Sequence, residues 1–280
     1  MSQPLQNISF DKIKLSGWTI HLNTVFPATA LETLVSDEDF DGLRGPFEEV
    51  MASKFARVYK GAISFNGRTH NLYIKQYFYR SAIDFLKHIV RPFRAMRSLK
   101  ASQMLAAVNL LSPEVIAMGQ KMSGPFVTKS FLITRSVENA PDLTTHIAKA
   151  DNLKTKRQFI RRLAETIGKM HAANISHGDL RTGNLLVKPA GDDWDFYLLD
   201  NERTVKYNKL PDKLRFKNLV QIGMVITKNL TNTDKARFYK TYLEQNQQTI
   251  PNPKELARKV IARIKERLRG KQKPETQSQE

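Results

Sequence analysis

Cysteine is absent from this sequence, so neither a disulfide framework nor a thiolate zinc site can hold the chain together. Long apolar runs are missing too. The longest stretch free of Asp, Glu, Lys and Arg, Leu15 to Leu31, contains His21, Asn23 and Pro27, whereas a spanning helix needs about 20 predominantly apolar residues. The first ten residues hold no Lys or Arg and lead into no apolar segment, which argues against a secretory signal and for a cytoplasmic protein. Acidic charge is scarce. Asp and Glu number 27 against 45 Lys and Arg, a formal net charge of +18, which points to an anionic partner: nucleic acid, an acidic membrane surface or a phosphorylated substrate. Apolar residues make up 41% of the 280 positions and aromatics 9%, enough to bury a core in one large domain or in two lobes.

The chain changes texture near its middle. Lys54 to Phe65 and Thr69 to Tyr77 are apolar-rich runs joined at Asn66-Gly67, the strongest short-range hairpin signal. A helix is expected from about Pro92 through Val108, closed by Ser112-Pro113. Two more strands fit Glu114 to Met118 and Pro125 to Thr134, around Met122-Ser123-Gly124. From Lys154 onward helices dominate: Phe159, Ile160, Leu163, Ile167 and Met170 recur at helical spacing opposite Arg161, Arg162 and Lys169. After Arg269 no apolar residue remains, and that tail is expected to be disordered.

The chemistry concentrates in His177-Gly178-Asp179-Leu180-Arg181-Thr182-Gly183-Asn184, followed by Asp195 to Asp200. Asp179 and Asn184 stand in the H-x-D-x-x-x-x-N arrangement of a phosphotransferase catalytic loop. Leu185 to Lys188 and Asp195 to Leu199 read as a hairpin, whose pairing would bring Asn184, just before it, to Asp200, just after it. One amide oxygen and one carboxylate, completed by phosphates and water, are what Mg2+ takes at a nucleotide site. Asp179 could then accept the proton of an attacking hydroxyl. Lone Asp and Asn residues in loops are usually turn or cap residues; three of them at this mutual spacing between apolar strands are much harder to obtain by chance. His177 is read as a brace that holds the loop by hydrogen bonding, not as an acid or base.

A kinase reading asks for a lysine on the third strand of the first lobe to neutralise the α- and β-phosphates, and Leu72-Tyr73-Ile74-Lys75-Gln76-Tyr77 supplies Lys75. Strand alternation sets Lys75 on the face of Tyr73 and Tyr77. Phe131 to Thr134 then runs into Arg135-Ser136-Val137-Glu138-Asn139, which fits a hinge between the lobes whose main chain near Arg135 and Val137 would hold adenine. Two customary parts are missing. Between Gln76 and Pro113 the only acid is Asp84, and no G-x-G-x-x-G precedes Lys75.

With His177 to Asn184, Met170-His171 before them, Leu199-Asp200 after them and Tyr73-Ile74-Lys75, the chain resembles the lipopolysaccharide core kinases, the Kdo and heptose kinases of Gram-negative bacteria. These are similar in fold to eukaryotic protein kinases and to the RIO and Bud32 kinases. The resemblance covers roughly residues 54 to 245. It implies an α+β, bilobal kinase-like fold with an N-terminal lobe and extension over 1–134, a C-terminal catalytic lobe over 135–269 and a disordered tail over 270–280. It further implies ATP- and Mg2+-dependent phosphorylation of an inner-core sugar hydroxyl at the cytoplasmic face of the inner membrane, with Asp179 as base, Asn184 and Asp200 as metal ligands and Lys75 as phosphate ligand.

Gly178 replaces the arginine of regulated protein kinases, and only about a dozen residues separate Asp200 from a helix near Asp212. That leaves no room for a long activation segment, so a non-peptide acceptor is favoured. The runs Lys87, Arg91, Arg94, Arg97, Lys100 and Lys206, Lys209, Lys213, Arg215, Lys217 would suit an anionic glycolipid acceptor and a peripheral membrane contact better than nucleic acid. A RIO- or Bud32-like protein kinase and a non-catalytic kinase-like binding protein are the competing readings.

Overall fold

The structure is a computed structural model describing residues 9–35, 47–53, 55–79, 91–148, 152–225 and 230–272. It is of α+β class and divides into two compact units, Met1–Glu138 and Asn139–Glu280. The first unit is built on a seven-stranded antiparallel sheet: β1 (Phe10–Leu15), β2 (Trp18–Asn23), β3 (Phe47–Ser53), β4 (Ala56–Phe65), β5 (Arg68–Tyr77), β6 (Val115–Ser123) and β7 (Phe126–Arg135), in the order β1-β2-β6-β7-β5-β4-β3. Asn66 and Gly67 turn β4 into β5 with φ of 50° and 68°, the doubly positive turn whose twist matches the strands it joins.

Alternation sorts the two faces of this sheet. Trp18, Ile20, Leu72, Ile74, Phe131 and Ile133 are buried on one, beneath Phe26 and Leu31, the latter from α1 (Thr29–Val35). Trp18 meets Phe131 edge to face at 5.0 Å. Each such fully buried side chain contributes roughly 1.5–3 kcal/mol of transfer free energy. On the other face, α2 (Arg94–Ala106) packs Ala95 and Leu99 against Tyr77, Val115, Met118 and Leu132. Because side chains alternate, Lys75 stands on this helix-covered face with Tyr77, and its ammonium lies 5.2 Å from the Tyr77 ring centre.

The sheet is wider than the sequence suggested. β1, β2 and β3 were not anticipated, although Trp18, Ile20 and Leu22 alternate and Ser16-Gly17 forms another doubly positive turn, with φ of 48° and 77°. The first basic run also needs correcting as a charged surface. Arg94 is 5% exposed and donates to Phe55 O at 3.3 Å, and Arg97 is half-buried; only Arg91 and Lys100 are exposed, and Lys87 lies outside the described residues. β7 continues through Arg135 because that residue pairs with Leu72 and its N–H reaches Glu114 O, so the first unit extends to Glu138.

The second unit holds α3 (Leu143–Ala148), α4 (Leu153–Ala172), β8 (Ile175–Ser176), β9 (Leu185–Ala190), β10 (Asp193–Leu198), β11 (Val205–Lys206), α5 (Asp212–Gly223), α6 (Asn232–Glu244) and α7 (Pro253–Gln272). Helix α4 starts where Asn152 accepts from the N–H groups of Lys154 and Thr155 at 2.9 and 3.1 Å, satisfying two donors with no partner inside the helix. It buries Phe159, Ile160, Leu163, Ile167 and Met170, the stripe read from the sequence. Helix α7 continues through Gln272, three residues into the stretch expected to be disordered; 273–280 lie outside the described residues.

Candidate active site

Three pieces of local structure bring the polar residues of the second unit together. Strand β8 delivers His177 and Gly178, a 3₁₀ turn over Thr182–Asn184 leads into β9, and β9 pairs with β10 from Leu185 opposite Leu198. The hairpin is tighter than expected, since the strands reach Ala190 and Asp193 and leave only Gly191-Asp192 to turn. Its open end is closed by Leu199 N–H donating to Asn184 O at 2.9 Å, which sets Asp200 beside Asn184 along the chain path. Beyond Asp200, β11 pairs with β8, and Thr204 Oγ1 donates to His177 O at 3.2 Å. The segments that carry Asp179, Asn184 and Asp200 are thus fastened to one another.

Asp179 is held at both carboxylate oxygens. Arg181 Nη2 reaches Oδ2 at 2.6 Å and Gln221 Nε2 reaches Oδ1 at 3.0 Å, while Asn184 Nδ2 donates to its main-chain oxygen at 2.9 Å. Gln221 also accepts from Leu180 N–H at 3.1 Å. From the same helix, α5, Asn218 Oδ1 accepts from His177 N–H at 3.2 Å and Lys217 Nζ reaches Gly178 O at 2.5 Å. Gly178 has φ +75°, and a Cβ there would lie 2.5 Å from Arg203 O; the position excludes arginine, or any side chain, on backbone grounds.

His177 is bonded through its main chain, N–H to Asn218 and C=O from Thr204. Its ring is fully buried and neither nitrogen completes a hydrogen bond, although main-chain groups of Leu199 and Asp179 lie close enough to favour its charged form. Burial outweighs them and the nearby carboxylates of Asp200 and Asp179, and pushes the imidazole below its ordinary range. The brace is therefore the main chain of His177, bonded at N–H and C=O, with a neutral ring packed behind it.

Asp200 adopts left-handed backbone, φ 56° and ψ 48°, a conformation that costs most residues about 1–2 kcal/mol and that Asp tolerates better than most. The donor set fits a hard cation. Asn184 commits its NH2 to Asp179 O, which leaves Oδ1 as the atom able to face a metal, and Asp200 adds a carboxylate. Two protein oxygens suit Mg2+, which keeps waters and takes phosphate oxygens; among the described residues no group of three or more His, Cys, Asp and Glu could form an all-protein cage.

Lys75, Arg135 and Val137 lie in the first unit. Lys75 on β5 pairs with Val58 on β4, and the β3–β4 turn a few residues earlier is organised by Ser53: its Oγ accepts from Phe55 and Ala56 N–H at 3.3 and 3.1 Å and donates to Ala56 O at 3.0 Å. Arg135 has its side chain engaged elsewhere. Nε meets Glu114 Oε2 at 2.6 Å, Nη1 meets the His70 ring, and the guanidinium lies 5.1 Å from the Phe26 ring centre. Its N–H is also taken, by Glu114 O at 2.9 Å, so a nucleotide contact at Arg135 falls to the carbonyl. Val137 lies half-buried just past the end of β7.

Gln221, Asn218 and Arg181 were not singled out from the sequence. The available signal was that Asn218 and Gln221 are polar positions around the apolar pair Leu219-Val220, but nothing in it says which loop they serve.

Comparison with known proteins shows the family and the fold. Residues 52–242 match the family described as the lipopolysaccharide kinase (Kdo/WaaP) family. A lipopolysaccharide core heptose(I) kinase WaaP of Pseudomonas aeruginosa is 26% identical over 54% of this chain and 60% of its own length. A WaaP of Escherichia coli K12 is 28% identical over 63% of this chain and 72% of its own length. The chain thus spans about three fifths of the first relative and somewhat more of the second. A solved structure titled WaaP in complex with acyl carrier protein shares the fold, with a TM-score of 0.60 at 18% identity over 82% of this chain and 90% of that one. With the family match covering more than half of its length, this chain belongs to the lipopolysaccharide kinase (Kdo/WaaP) family.

Proposed function

We propose that the chain is an ATP-dependent kinase that phosphorylates a sugar hydroxyl, of Kdo or heptose, on the inner core of lipopolysaccharide. The observation that carries this reading is the Asp179 carboxylate, gripped at both oxygens within the loop that also presents Asn184, whose main chain is bonded to Leu199, the residue before Asp200. Family membership implies ATP as the phosphoryl donor.

In the proposed reaction the acceptor hydroxyl oxygen attacks the γ-phosphorus, the bond from that phosphorus to the bridging oxygen breaks, and ADP leaves as the hydroxyl proton passes to Asp179. Asn184 and Asp200 would hold Mg2+, which when bound neutralises charge on the transferring phosphoryl group. Lys75 would neutralise the other phosphates, with main-chain groups of Arg135 and Val137 for adenine. Arg181, 70% exposed on the outer side of the Asp179 pair, adds positive charge where an anionic acceptor must approach.

A membrane-borne acceptor also fits the surface. Lys206, Lys209 and Lys213 are exposed just after Asp200, and α7 carries eight Lys and Arg against two Glu, with Ile264 packed against Gly223 of α5. Such exposed basic charge favours an anionic lipid surface. No helix among the described residues is long and apolar enough to cross a membrane, so contact would be peripheral. The test is transfer of labelled γ-phosphate from ATP to purified unphosphorylated inner-core acceptors ending in Kdo or carrying heptose. Acceptor-dependent incorporation is expected with one of them, and ATP turnover indifferent to both would overturn the reading.

A further inference from the structure

Six residues of the second unit form a single file of hydrogen bonds that ends on Asp179. Arg215 Nη1 lies 2.9 Å from Tyr242 Oη, which lies 2.9 Å from His171 Nδ1; His171 Nε2 lies 3.2 Å from Asn218 Oδ1; Asn218 Nδ2 lies 3.2 Å from Gln221 Oε1; and Gln221 Nε2 lies 3.0 Å from Asp179 Oδ1. His171, Asn218 and Tyr242 are fully buried and Arg215 is 2% exposed.

The direction of every donor in this file is fixed. A guanidinium can only donate, so Tyr242 Oη accepts from Arg215 and turns its own hydrogen to His171 Nδ1. Two main-chain N–H groups settle the amides: His177 N–H requires Asn218 Oδ1 to face it, and Leu180 N–H requires the same of Gln221 Oε1. Asn218 Oδ1 therefore accepts from His171, whose proton must sit on Nε2, and Gln221 is left donating to Asp179. Each bond points from the cation towards the carboxylate. Hydrogen bonds aligned head to tail in a low-dielectric interior polarise one another.

Arg215 is an unusual residue to bury here. Its other contacts, Asn246 Oδ1 at 2.8 Å and Thr249 Oγ1 at 3.2 Å, are neutral oxygens like that of Tyr242, and its Nε has no partner. Among the described residues no carboxylate pairs with it, and a buried cation without a counter-ion is costly.

We propose that Arg215, Tyr242, His171, Asn218 and Gln221 act as positioning residues that fix the Asp179 carboxylate in the orientation required of the base, Gln221 directly and the others through it. The proposal rests on the reading of Asp179 as base. Imidazole basicity is consistent with it: burial above all, with the Arg215 charge behind it, pushes His171 down to about 3, so it stays neutral with one nitrogen accepting and one donating.

The test uses the full chain. In Gln221→Glu both acceptor contacts, to Leu180 and Asn218, are kept, but the donor to Asp179 is replaced by an oxygen. We expect kcat to fall roughly 10- to 100-fold, the scale of a slightly misplaced catalytic group, with KM for ATP within about twofold. Tyr242→Phe removes the donor to His171 Nδ1 and is expected to lower kcat several-fold. The double variant should lose less than the product of the two single losses, because both act on one file. Nitrogen-15 spectra of the wild type should show His171 protonated at Nε2, and Tyr242→Phe should disturb that tautomer. A wild-type kcat in Gln221→Glu, or His171 protonated at Nδ1, would overturn the proposal. If Gln221→Glu does not fold, a disturbed tautomer with unchanged kcat in Tyr242→Phe would do the same. Absence of transfer from the wild type itself would count against the kinase reading instead.

Discussion

His171 shows how one buried side chain links stability to pH. Its folded-state pKa is pushed down to about 3, first by burial and then by Arg215, with the Asn218 hydrogen bond opposing. In the unfolded chain it takes a proton below about 6.5. Between those values the unfolded state binds more protons, so stability rises with pH there and the contribution of His171 is lost as pH falls from 6.5 towards 3. At pH 5 the loss is roughly 2 kcal/mol. The thermal midpoint should therefore fall between pH 7 and pH 5, and should fall less over the same interval in His171→Gln. Equal slopes for the two proteins would show that His171 is not buried neutral. At this scale the sequence was partly legible. Asp179, Asn184 and Asp200 share a short stretch with recognisable spacing. Gln221 lies 42 positions from Asp179, and only the packing of α5 under the loop makes them neighbours.

Elements were easier to read where a local signal was strong. Asn66-Gly67 marked the β4–β5 hairpin because those residues enter left-handed backbone at little cost, and the α4 stripe followed from apolar spacing alone. The β1–β2 hairpin is harder to read, because Ser16-Gly17 is a weaker turn signal than Asn-Gly. The first basic run misled as a charged surface because α2 turns Arg94 inward, towards Phe55 O; a helix inside a charge run can hide some of its charges. Helix α4 supports the loop through His171 and begins at a side-chain cap, so Asn152→Ala should cost about 1 kcal/mol. That would lower the thermal midpoint by about 2–4 °C with kcat nearly unchanged. A large kcat loss at an unchanged midpoint would show that the cap influences the site in some other way.

At the scale of the whole molecule the net charge of +18 becomes more specific once buried cations are set aside. Arg215 belongs to the interior and Lys217 is engaged by Gly178 O, which leaves Lys206, Lys209 and Lys213 as the exposed part of the second run. Exposed charges act over about 8 Å at physiological ionic strength, so they can steer a polyanion approaching the loop. Reversing these three to Glu should raise the acceptor KM several-fold and flatten its salt dependence, while ATP affinity changes little. Unchanged acceptor kinetics would assign the basic surface to another partner.

The most direct test of the account compares wild type and Asp179→Asn for acceptor-dependent transfer of labelled γ-phosphate, with ATP affinity measured alongside. A general base acts on the acceptor hydroxyl and not on the nucleotide. Asp179→Asn is expected to abolish transfer while its ATP dissociation constant stays within about twofold of the wild-type value. Transfer at the wild-type rate, or an ATP affinity lost in step with the rate, would contradict it.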